Sequence, residues 1–356
     1  MEKESELERL ANSEEISTRK TIAQNPLTPT DILAKLSSDE NKYVRELVAY
    51  NPNTLPKTLE KLANDESLWV RQAVAKNLNA TVKALERLAN DECSLIGECV
   101  AKNPNITDDL LFNLSNSEDN IIREGVASNF KTPVEILDKL SKDKDEFIRM
   151  RVAKNPSVTE EILERLSKDE SWRVRRGVAH NENASIDLLV KLSQDKDWKV
   201  RKAVVTNKKV TLDLLERLSE DENHKVRQAV AMNSNISSEI LEKLSQDENG
   251  SVRMVVARNK NATPDILTKL ADDEIEWVRQ DVASNPKTPV EVLTKLSDDM
   301  RWVIRAEVVK NPSTPPSILE KLSKDEEELV RITANKNPNI DKIEEIKQNK
   351  SISPSI

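Results

Sequence analysis

Cations without acids are the feature of this sequence best placed to do chemistry. Counted back from Asn155, Asn181, Asn207, Asn233 and Asn259, the positions eight, five, four and one before each asparagine read as follows. They are Phe147, Met150, Arg151 and Lys154; Arg173, Arg176, Gly177 and His180; Lys199, Lys202, Ala203 and Thr206; Lys225, Gln228, Ala229 and Met232; Ser251, Met254, Val255 and Arg258. These twenty positions hold eight lysines or arginines and no acid. Spacings of three and four put them on one face of a helix. Trp172 and Trp198 flank the run. Such a face attracts carboxylates or phosphates, and its aromatics can stack on bases.

Other reactive residues fall into columns. An asparagine recurs every 26 residues from Asn25 to Asn337, thirteen times. Six before each stands an arginine, interrupted only by Gly97, and six before each arginine after Arg19 an aspartate, interrupted only by Ser117. A loop aspartate meeting guanidinium forks would form a charge-assisted ladder along the stack. On that reading Gly97 and Ser117 strand Asp91 and Arg123, which are expected to pair across the step. The asparagine, able to donate, accept and adopt left-handed backbone, reads as a cap and a tie between successive turns. Cys93 and Cys99 share the one defective unit, where small apolar filling is the plain expectation; His180 and His224 fall in different columns with no nucleophile or ligand set beside them. A lysine or arginine ten after most asparagines reads as a solvated outer face.

The totals exclude several classes. Net charge is -8, which argues against a globally basic nucleic-acid or membrane-surface protein. Four glycines leave little for phosphate loops. Two cysteines build no disulfide framework, so a reducing, cytoplasmic setting is expected. The charged start, Met-Glu-Lys-Glu-Ser-Glu, is no signal peptide. No apolar run is long enough to span a membrane.

The elements that position these columns follow from the period. Leucines eight and eleven after the asparagine in all twelve complete units, usually with Ile or Leu at seven, form one face of a first helix, A, of about nine residues. It starts three to four residues after the asparagine, where Thr28-Pro29, Thr132-Pro133, Thr288-Pro289 and Thr314-Pro315 read as a capping threonine followed by proline at the first helical position. Val or Ile at seven before, Val at three before and Ala at two before mark a second helix, B, also of about nine residues and ending at the asparagine. Its N-cap column is Asn41, Ser67, Asp119, Asp145, Ser171, Asp197, Asn223 and Asn249. Packing at the start of helix B is expected of all five tryptophans. Helices this short need neighbours, which is the logic of a solenoid.

The Asp-x5-Arg element followed by an apolar helix resembles the HEAT repeat. The string Val-Arg-x-x-Val-Ala-x-Asn-Pro-x-Thr-Pro-x-x-Leu-x-x-Leu, as in Val278 to Leu296, is very similar to the leucine-rich repeat variant family. The likeness covers about residues 4–346. It implies an all-α fold, a right-handed superhelical α-solenoid of about 13 tandem 26-residue two-helix repeats, in which one helix of each pair can be partly 3-10, with helix B on the concave side. The variant family's best-known member carries an N-terminal iron–sulfur cysteine cluster; no cysteine precedes Cys93 here, so no cofactor is carried over. One solenoid domain is expected over 1–347, with a capping half-repeat at about 1–14, a capping helix at about 340–347 and a disordered tail at 348–356.

The function expected is a non-enzymatic, monomeric binding scaffold without metal or membrane contact. It would hold an acidic protein or peptide segment through Arg151, Lys154, Arg173, Arg176, His180, Lys199, Lys202, Lys225, Arg258, Trp172 and Trp198. The alternative partner is nucleic acid on the same patch. A third reading, from the resemblance to HEAT-like alkylpurine DNA glycosylases, is an enzyme using Trp277 and Asp281.

Overall fold

The computed structural model describes residues 2–338, with side chains from residue 6 onward. The capping helix and tail expected beyond residue 339 lie outside the described residues. Twenty-six α-helices and no strand are found among the described residues. The chain divides into two compact units, Met1–Leu188 and Leu189–Ile356, each built from the same helix pair.

A helix over Glu2–Ala11 precedes the first helix B, Ile16–Gln24. Thereafter helices A and B alternate, as in Thr30–Leu36 and Lys42–Tyr50. Helix A is shorter than its leucine pattern suggested, seven residues in most repeats. Helix B keeps nine in most. No described residue is in a 3-10 helix. The leucine eight after the asparagine is fully buried throughout, as at Leu33, Leu137 and Leu293, and so is the valine three before it, as at Val48, Val152 and Val256. Within each unit, each helix B packs on the helix B of the next repeat. Gly125 and Gly177 allow close approaches: a Cβ at either would lie 3.0 Å from the Cβ of Ala101 or Ala153 in the preceding helix B.

The marker asparagines do tie successive repeats. Asn51 ends helix B and its amide donates to the carbonyls of Ala23, at 2.8 Å, and Asn25, at 2.9 Å, one repeat back. Its side-chain oxygen accepts from the backbone of Asn53. Asn103, Asn155 and Asn311 repeat the arrangement. Left-handed backbone plays no part: Asn51 has φ −66°, and no described non-glycine residue has positive φ.

The N-cap column of helix B holds at seven of its eight positions; the Ser67 hydroxyl makes no capping bond. The Thr-Pro reading is corrected. Thr28, Thr132, Thr288 and Thr314 are buried, and each hydroxyl donates backwards to a helix B carbonyl, as Thr28 does to Ile22. In all four the proline itself is the N-cap residue. Side-chain capping of helix A falls one place later, at Thr81, Thr107, Thr211, Ser237 and Thr263.

The arginine ladder is present, but in another register. Arg19 gives Nε and Nη2 to the carboxylate of Asp39, 20 residues on, at 2.7 and 3.1 Å, while Nη1 binds the carbonyls of its own loop, Ser13 and Glu14. The same bidentate pairing joins Arg71 to Asp91 and Arg123 to Asp143 in the first unit, and Arg201 to Asp221 and Arg305 to Asp325 in the second. Asp91 and Arg123 are therefore not stranded and do not pair with each other. The arginine serves the following repeat, which spacing in sequence alone does not reveal.

The outer lysine and arginine column is exposed but also bonded. Lys61 reaches Ser37 and Lys321 reaches Ser297 and Asp298, at the C-terminus of the preceding helix A. Cations there meet the negative end of the helix dipole.

Candidate functional site: the exposed face of helix B

Of the four positions expected to be exposed, three are. The position four before the asparagine is drawn into the contact between successive B helices. Gly177, Ala203, Ala229 and Val255 are buried there, and Arg151 is only part exposed. The face therefore consists of the positions eight, five and one before each asparagine.

In the first unit Lys154, Arg173, Arg176 and His180 all reach solvent, on the helices Glu146–Lys154 and Trp172–His180. Two of the cations nearby are neutralised. Arg151 pairs with Glu124 at 2.7 Å, and Arg173 approaches Glu146 at 3.4 Å. Glu146 lies outside the positions counted from sequence, so the absence of acids there overstated the net charge. Arg173 also lies over the ring of Trp172, at 4.8 Å, and of Phe147, at 5.9 Å. Among the described residues no carboxylate pairs with Lys154 or Arg176. Partial burial, then Arg176 and Arg151, push the Lys154 ammonium below its usual range. Partial burial, then Arg176 and Lys154, push His180 down as well. Lys154 is thus repelled by both Arg176 and Arg151.

In the second unit Trp198 is half-buried, with Lys199 and Lys225 over its ring at 5.5 and 4.8 Å; Lys202 is exposed. Lys199 also lies 4.0 Å from Asp197. Arg258 does not belong with them: its Nε is 2.7 Å from a carboxylate oxygen of Asp281. An open cleft of ≈ 440 Å³ beside it is lined by Met232, Val255, Arg258 and Lys260. Asp281 is buried, which raises its pKa against the pull of Arg258. Trp277, expected to pack, is 56 % exposed. Trp69 and Trp302 are exposed too, so burial at the start of helix B fails for three of the five tryptophans. Cys93 and Cys99 are free and half-buried, and burial pushes the Cys99 thiol up.

One feature of the face was missed. The position eight before the asparagine is a large apolar residue in five consecutive repeats of the first unit: Tyr43, Trp69, Leu95, Ile121 and Phe147, each between 40 % and 51 % exposed. Scattered exposed apolar residues are ordinary, whereas a column of five is not. The signal was in the sequence, as an apolar column out of phase with the buried ones.

No protein-family model matches the chain, and no curated protein matches it. Solved structures do. One is described as a leucine-rich repeat variant with a novel repetitive structural motif; it is 23 % identical, with a TM-score of 0.52, and the match covers 63 % of this chain and 88 % of that one. Another, a Kap95p structure described for its binding to RanGDP, is 11 % identical with a TM-score of 0.45, over 93 % of this chain and 57 % of that one. Among the described residues no helix is long and apolar enough to cross a membrane. The resemblance read from the repeat holds for the fold: the chain is an α-solenoid of paired short helices, similar to the leucine-rich repeat variant structure.

Proposed function

We propose that the protein is a non-enzymatic binding scaffold whose helix B face holds an acidic protein or peptide segment. The observation that carries this reading is the group Lys154, Arg176 and His180, crowded by Arg151, with no acid answering Lys154 or Arg176 among the described residues. The ladder arginines and Arg258, by contrast, are matched by carboxylates, as Arg19 is by Asp39 and Arg258 by Asp281. An anionic partner relieves the repulsion, and its affinity falls as salt screens it. The pairs Trp198–Lys225 and Trp172–Arg173 leave cations stacked on rings, which also suits a carboxylate. Asp281, buried against Arg258, is poorly placed to act on a substrate, which disfavours the glycosylase reading.

A labelled glutamate-rich peptide and labelled single- and double-stranded DNA, titrated at low and high salt, test the reading. Peptide binding that weakens with salt and is lost in K154E/R176E supports it. Binding of DNA alone replaces the acidic peptide by nucleic acid. Binding of neither at low salt overturns both.

A further inference from the structure

The charged group stands at the end of the apolar column. Arg173 occupies, in its own repeat, the position that Phe147 occupies in the repeat before, and its guanidinium lies 5.9 Å from the centre of that ring. Column neighbours in successive repeats thus adjoin, and the column passes directly from apolar to basic. In the apolar stretch Lys102 pairs with Glu98 at 2.5 Å, and Glu124 with Arg151 at 2.7 Å. The column eight before the asparagine is therefore apolar over five repeats of the first unit, Tyr43 to Phe147, and ends beside the cations Lys154 and Arg176.

From this we infer that the first unit docks an extended peptide whose apolar side chains recur at every third position and which ends in a run of acidic residues. The inference rests on the proposed function and specifies its partner. The spacing sets the period. Packed helices lie roughly 8–10 Å apart, so the column offers one apolar contact per such step. A polyproline-II segment has three residues per turn and rises about 3.1 Å per residue, placing every third side chain on one face about 9 Å apart. A β-strand, alternating faces, cannot present every third residue to the same surface. Four steps across the column need about 13 residues, and the acidic run then meets the cations, to which it is complementary in charge.

The probe is a fluorescein-labelled synthetic peptide of about 18 residues, sized by this rise, with leucine at every third place among prolines and serines and a glutamate-rich end. Its partners are a composition-matched scramble, a leucine-every-seventh helical peptide and the glutamate-rich end alone. Anisotropy titrations use the full chain, W69S/F147S and K154E/R176E, with melting curves checking that the exposed substitutions leave the fold intact. The expected result is that the ordered probe binds on the order of tenfold more tightly than the scramble, and that each double substitution removes about tenfold. Equal binding of the scramble, or tighter binding of the helical peptide, overturns the inference. If the acidic end alone binds as well, and W69S/F147S changes nothing, the docking column falls while the acidic-partner reading stands. If no acidic probe binds, both fall. If W69S/F147S instead abolishes self-association seen by sedimentation, and the probe does not compete, the column faces a second copy and the inference is overturned.

Discussion

Gly97 and Ser117 stand 20 residues apart, the separation that joins Arg71 to Asp91 and Arg123 to Asp143 on either side of them. They are the two ends of one absent rung. The arginine and the aspartate are missing together, so neither charge is left buried without its partner. Removing one member of a buried pair is far costlier than removing both. A Cβ at Gly97 would lie 2.7 Å from Cδ1 of Ile122, which fills part of the space beside the missing guanidinium.

Breaking an intact rung is the first test. Arg71→Met leaves the enclosed Asp91 carboxylate facing an apolar chain, and a loss of about 3 kcal/mol is expected in urea unfolding. R71M/D91N, which removes the charge as well, is expected to lose clearly less. Equal losses would show that packing of the arginine stem matters more than its charge.

Rebuilding the absent rung is the second. Ser117→Asp alone is expected to destabilise, because the new carboxylate has no guanidinium. With Gly97→Arg and Ile122→Ala to make room, the same aspartate is expected to stabilise, with a coupling of about 1–3 kcal/mol in a double-mutant cycle made on the Ile122→Ala background. A coupling near zero would place the register elsewhere.

Acid should open the ladder. Burial raises the carboxyls of Asp91, Asp143 and Asp325, but the guanidinium of Arg71, Arg123 or Arg305, with a backbone amide beside it, holds each below the usual range. A carboxyl depressed in the folded state contributes its full stability above its unfolded pKa, about 3.9, and loses it as pH falls through the folded one. Stability is expected to be level near neutrality and to drop below about pH 4, with a shallower drop in R71M/D91N. Circular dichroism against pH reads this.

His180 reports on the cationic group. Its pKa is lowered by partial burial and then by Arg176 and Lys154. A base depressed by folding adds stability above its unfolded pKa, lost as pH falls through the folded one. Arg176→Ser is expected to raise the His180 pKa, and a bound acidic peptide to raise it further, both read by NMR titration of the imidazole. No change with R176S would separate the two residues electrostatically.

The asparagine tie carries its own contrast. Asn103 is buried and gives its amide to the carbonyls of Ala75 and Asn77, whereas Asn105, exposed, gives its amide mainly to Leu78. Asn103→Ala orphans buried acceptors and is expected to cost about 1–3 kcal/mol, whereas at Asn105 water replaces the bond and the loss stays under about 0.5 kcal/mol. Thermal melts of the two variants check it.

Most of the fold was legible because burial is a property of columns. Leu33 and Val48 declare their faces by period alone. What period leaves open is direction. Arg71 lies six residues after Asp65 and twenty before Asp91, and nothing local says which carboxylate its fork meets. Thr28 and Thr81 differ by one place relative to their asparagines, and that single step decides whether the hydroxyl reaches back to helix B or caps helix A. At the site, the cations lie on the helices expected. The acids answering Arg151, Arg173 and Arg258 come from other repeats or columns, so counting along one face could not find them.

Because an arginine's partner sits in the repeat that follows, the array has a grammar of length. Deleting or duplicating a stretch of 26 residues between Arg19 and Asp325 brings a new aspartate to each severed arginine at the same distance, and a new pair of carbonyls to each asparagine. Copy number can therefore drift by recombination without leaving a stranded charge, wherever the cut falls outside the absent rung. A junction between Gly97 and Ser117 is the exception, since it would join a glycine to an aspartate or an arginine to a serine. That pair thus marks the one seam at which lengthening or shortening the protein would carry an electrostatic penalty.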